Sequence, residues 1–102
     1  MFRQGDVLLI PTPHRRSRTA KPVARDAGRI VLAYGEVTGH AHAIGDALAE
    51  LFEERDGRLY LRATSVVTLR HEEHDAITIP RGTYRVVRQR EYSPEAIRQV
   101  AD

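Results

Sequence analysis

The chain has 102 residues, 41% hydrophobic and 29% charged, with a formal net charge of +2 and no cysteine. That length suits one domain around one core, and the missing cysteine excludes disulfides, thiolate nucleophiles and cysteine-held zinc. A charge this small is no nucleic-acid footprint by itself, no apolar run approaches the ~20 residues of a membrane helix, and the lack of cysteine fits a cytoplasmic protein.

The opening "MFRQGDVLLIPTP" holds a short apolar run, interrupted at its approach by Gly5 and Asp6, and no small-residue cleavage site. It reads as a first strand over 6–11, closed by Pro11 and Pro13, and not as a leader. Residues 14–28 have no apolar period and contain Pro22 and Gly28, the pattern of a long basic loop. "RIVLAY" (29–34) is a second strand ended by Gly35.

If 36–44 is extended, Glu36, Thr38, His40, His42 and Ile44 share one face, and Val37, Gly39, Ala41 and Ala43 share the other. Gly39 then marks a bulge or bend beside the histidines. Segments 48–54 and 58–63 form a hairpin about Asp56-Gly57. Residues 65–71 are β-branched and strand-like, "EEHD" is a loop, 76–80 is a strand, Arg81-Gly82 a turn and 83–92 a long last strand. Ser93, Pro94 and Glu95 carry the start signal of a C-terminal helix over 93–102. Short strands between turns predict an all-β fold over 1–102, a small antiparallel barrel or sandwich with that helix appended.

Four of the five histidines fall in two windows, "GEVTGHAH" (35–42) and "HEEH" (71–74). H-x-H on a strand places two imidazoles on one face, about 6.6 Å apart along the backbone, so that both can tilt toward one ion. His40, His42, His71 and His74 are therefore the candidate ligands of a divalent metal, with zinc or iron foremost by ligand type. Glu36, Glu72 and Glu73 are the candidate catalytic carboxylates, as general base or as partners that orient the imidazoles. His14, in the basic loop, reads as solvent-exposed. The alternative to a metal site is a polar network that satisfies backbone groups at a strand end.

The two windows, with the later "QREY" (89–92), resemble a group of short uncharacterised bacterial proteins that carry G-E-x-T-G-H-x-H and H-E-E-H. The resemblance spans roughly residues 30–95 and implies no activity. A looser likeness to cupins is architectural: here the glutamate precedes H-x-H, and the spacing around "HEEH" differs.

Three functions fit these residues. The first is a metal-binding β domain, with a small-molecule substrate if it is an enzyme. The second is a nucleic-acid-binding module using Arg15, Arg16, Arg18, Lys21, Arg85, Arg88 and Arg90, with Tyr84 and Tyr92 nearby. Its weak points are 6% aromatic residues and no tryptophan. The third is a non-catalytic homo-oligomeric subunit whose contact surface is the small Ala/Gly face of 37–43.

Overall fold

The computed structural model describes residues 1–35 and 37–89. Ten strands follow in order: β1 Phe2–Gln4, β2 Val7–Pro11, β3 Lys21–Pro22, β4 Ile30–Tyr34, β5 Ala41–Ile44, β6 Ala49–Glu53, β7 Leu59–Ala63, β8 Val67–Arg70, β9 Ile77–Ile79 and β10 Gly82–Arg88. They form a six-stranded sheet, ordered β1-β2-β10-β7-β6-β3, and a four-stranded sheet, ordered β4-β5-β8-β9. All pairings are antiparallel. The two sheets do not close into a barrel, so of the two predicted architectures this is the sandwich. Among the described residues, no helix is long and apolar enough to cross a membrane. The predicted helix over 93–102 lies outside them, as do Glu36, Arg90 and Tyr92.

Alternation decides which side chains enter the core. From the larger sheet come Val7, Leu9, Leu51, Leu61, Ala63, Tyr84 and Val86, and from the smaller Ile30, Leu32, Ile44, Val67, Leu69 and Ile79. Burying each of the leucines and isoleucines contributes about 1.5–3 kcal/mol. β-Branched residues favour the strands they occupy because their stiff side chains fill a pleated surface.

Four sequence expectations need correction. A strand, β1, precedes the predicted first one, and a two-residue turn at Gly5-Asp6 joins it to β2 in the register Gln4↔Val7. The basic stretch is not all loop: β3 pairs with β6, and Asp26 and Arg29 bridge across a tight turn. Extended structure after β4 begins only at Ala41, because Gly35 N–H donates to His40 O at 2.7 Å and closes 35–40 as the hairpin loop. Thr38 is therefore exposed in that loop, off the face of His42 and Ile44. Gly39 (φ +87) belongs to the turn, while the bulge lies on β4, between Val31 and Ala33, opposite Ala43 and His42. The displaced carbonyl of Leu32 accepts from Arg88 Nε at 2.7 Å, which ties the bulge to the other sheet.

Candidate metal centre

Three turns meet at one end of the sandwich: Gly5-Asp6 between β1 and β2, 35–40 between β4 and β5, and 71–76 between β8 and β9. Their meeting joins the two histidine windows. The His42 ring centroid lies 4.3 Å from that of His71 and 5.8 Å from that of His74. His71 and His74 are 4.7 Å apart, and His40 is 5.8 Å from His71. His40, His71 and Glu72 each offer one ligand atom, and these atoms lie within 4.8 Å of one another.

His42 is the buried member, 3% exposed, because β5 alternation turns it inward beside Ile44. Gln4, equally buried on β1, holds it. Gln4 Nε2 donates to Leu69 O at 2.9 Å and to Asp75 O at 3.0 Å, the two ends of the "HEEH" loop. With its amide nitrogen so placed, Gln4 Oε1 can only accept, and His42 Nδ1–H donates to it at 2.9 Å. Neutral His42 then carries its lone pair on Nε2, which faces Asp6 Oδ1 at 3.3 Å. Burial, followed by the charge of His71, pushes the His42 pKa below its ordinary value and favours this neutral form. A lone pair facing a carboxylate is an arrangement that a cation stabilises.

Gly5 makes room for the rings. At φ +58, with Asp6 outside the left-handed region, it takes the first position of a type II′ turn. A Cβ there would stand 2.8 Å from His74 Nε2 and 3.1 Å from His42 Cε1.

The remaining groups differ in readiness. Among the described residues, His40 Nδ1 is buried without a hydrogen-bond partner; Glu73 Oε1, 3.6 Å away, is too far for one. Glu72 Oε1 accepts from Ala41 N–H at 2.8 Å. That contact, and then the backbone N–H of Glu72 itself, hold its carboxyl below the usual carboxylate range. His71 Nδ1 accepts from Glu73 N–H at 3.0 Å, so neutral His71 carries its proton on Nε2. Ligation through His71 Nε2 needs the other tautomer, and the Glu73 N–H must then leave. Two cavities border the cluster. One, of about 240 Å³, is lined by Asp6, His40, His42 and Glu73, and the other, of about 800 Å³, by Ala43, Arg70 and Glu72. His71 and His74 line both.

All four predicted histidines thus stand at one place, with Glu72 and Glu73. Sequence reasoning missed Gln4 and Asp6. The signal was present: Gly-Asp directly before the apolar run "VLLIP" is a two-residue hairpin turn, and it brings β1 alongside. Reading His14 as solvent-exposed is also corrected. Its ring stacks on Tyr60 at 4.0 Å, and Nε2 lies 2.6 Å from Glu54 Oε2.

Among the described residues, Arg15, Arg16, Lys21, Arg85 and Arg88 border three different depressions. Arg15 and Arg16 line a cavity over the six-stranded sheet. Lys21 lies beside Glu53 and Glu54, and Arg85 and Arg88 border a depression with Glu53 and Asp56.

The family described as a domain of unknown function, DUF8820, matches residues 3–89, and the chain belongs to it. No curated protein and no solved structure matches. The matched span takes in all three turns of the site.

Proposed function

For this member of a family that carries no assigned activity, we propose a divalent-metal site at the meeting of the three turns. His40, His71 and Glu72 are the ligand set, and His42 and His74 wall the site as further imidazoles. The observation that carries this reading is the convergence of those three ligand atoms within 4.8 Å, on a set that includes His40, whose buried Nδ1 has no hydrogen bond among the described residues. Two imidazoles and one carboxylate suit zinc or ferrous iron. Glu72 can ligate through Oε2 while Oε1 keeps the Ala41 N–H.

Three protein ligands leave a coordination position open, where a bound ion activates water or polarises a carbonyl. Glu73, exposed at the rim of the smaller cavity, is the carboxylate placed to exchange protons with a substrate. The larger cavity gives a small molecule access past His71 and His74.

Cobalt(II) titration tests the site, since its visible bands report the ligand field. The wild type is expected to take one ion, displaceable by zinc. His40→Ala and Glu72→Gln are expected to lose at least tenfold in affinity. Glu72→Gln keeps an acceptor for Ala41, so its loss reads charge and not folding. Bands absent from the wild type, or unchanged in both variants, would overturn the proposal.

A further inference from the structure

A second candidate site lies on the outer face of the six-stranded sheet. Phe52, Tyr60, Arg62 and Thr83 point outward there, alternating with core-facing Leu51, Leu61, Ala63 and Tyr84. Residues 12–20 fold back over this face. Thr12 N–H donates to Thr83 O at 3.0 Å, His14 stacks on Tyr60, and the Arg16 guanidinium sits 5.4 Å over the Phe52 ring. Glu54 latches the segment, accepting the Ser17 backbone N–H at 3.0 Å and the Ser17 hydroxyl. Phe52 and Tyr60 are therefore only 1% and 5% exposed, although they point away from the core.

The covered face leaves a cavity of about 440 Å³, within the range of small-ligand sites. Arg15, Arg16 and Arg62 line it together with the hydroxyl-bearing Thr12 and Thr83, and no carboxylate does. Glu50 sits opposite Arg62 in register but reaches toward Arg16, at 3.4 Å. The Arg15 and Arg62 guanidiniums make no hydrogen bond or ion pair among the described residues. Three guanidiniums line the cavity, while Glu50 lies at Arg16 and Glu54 is engaged by His14 and Ser17; the excess of cations suits a phosphate monoester, and their planar forks match its oxygens.

We propose that this cavity binds the phosphoryl group of a small phosphate ester. Lys21, Arg85 and Arg88 stand among Glu53, Glu54 and Asp56, and do not extend it into a basic track among the described residues. The inference does not depend on the metal reading.

Adenosine monophosphate, titrated into the full chain and followed by amide chemical shifts, tests it, with adenosine as the uncharged control. The expected result is saturable binding with Kd on the order of 1 mM or tighter, shifts at Thr12, Arg16 and Thr83, and none with adenosine. Arg15→Gln/Arg62→Gln, which alters two exposed side chains, should weaken binding at least tenfold. A ten-residue oligothymidylate that binds the same residues far more tightly, with steep salt dependence, would keep the phosphoryl site but assign it to a nucleic-acid backbone. Absence of binding, or equal binding by the double variant, would overturn the proposal.

Discussion

Gln4 and Gly5 govern the histidine cluster without belonging to either histidine window. Gln4 spends its whole amide on one task, joining the two ends of the "HEEH" loop and setting the tautomer of His42. Gln4→Leu removes a donor from Leu69 O and Asp75 O and the acceptor of the His42 N–H, at about 1–3 kcal/mol for each buried group that stays unpaired. Chemical denaturation should show a loss of about 3 kcal/mol, and long-range ¹⁵N spectra should show His42 losing its fixed tautomer; an unchanged tautomer would deny Gln4 this role. Gly5→Ala should act on the site more than on the fold. Its backbone cost is about 1–2 kcal/mol, but the new methyl displaces the His74 and His42 rings. Metal affinity should fall at least tenfold, as read by cobalt titration, although no ligand is replaced.

At the scale of elements, turns position everything that matters here, and turns explain what the sequence could and could not reveal. The strands of the core were legible from a short aliphatic run closed by proline in "DVLLIP" and from alternation in "RLYLRA". The β6–β7 hairpin was legible from Asp56-Gly57. β3 was not, since Lys21 and Pro22 are exposed and carry no apolar period. The extended reading considered for 36–44 fails at 37–40 because alternation alone does not reveal a Gly35-to-His40 backbone bond. That the two histidine windows meet depends on strand order, which no local pattern encodes. One turn also carries strain: Ala27 has φ +52 in the two-residue connection between Asp26 and Arg29. Ala27→Asn creates Asn-Gly, the preferred pair for such a turn, and should stabilise the protein by about 1 kcal/mol. A midpoint of urea unfolding that fails to rise would contradict this account of the turn.

Over the whole molecule, burial and charge predict how stability depends on pH. Folded His42 has a pKa below the ordinary 6.5, so the unfolded chain binds the extra proton first, and stability falls as pH drops below that value. Glu54, held down first by its Ser17 hydrogen bond, and Glu72, held down by Ala41 N–H, both lie below the ordinary 4.5. Their contribution is present above that pH and is lost as acid reaches their folded values. Urea midpoints measured in chelator should therefore decline in two stages, and His42→Gln should flatten the first. A wild-type profile level from pH 7.5 to pH 5.5 would contradict the buried, neutral His42. The sandwich also explains why metal chemistry would sit at its end: there, turns from both sheets bring polar side chains together beside a closed core.

The central claim, one metal site built from both histidine windows, is tested most directly by elemental analysis of the untagged protein beside the His40→Ala/His74→Ala variant. The account predicts close to one equivalent of zinc or iron in the wild type and its loss in the variant. Wild-type protein that carries no metal, and takes up none when zinc or iron is supplied, would contradict it and leave the four histidines as a polar network that closes one end of the sandwich.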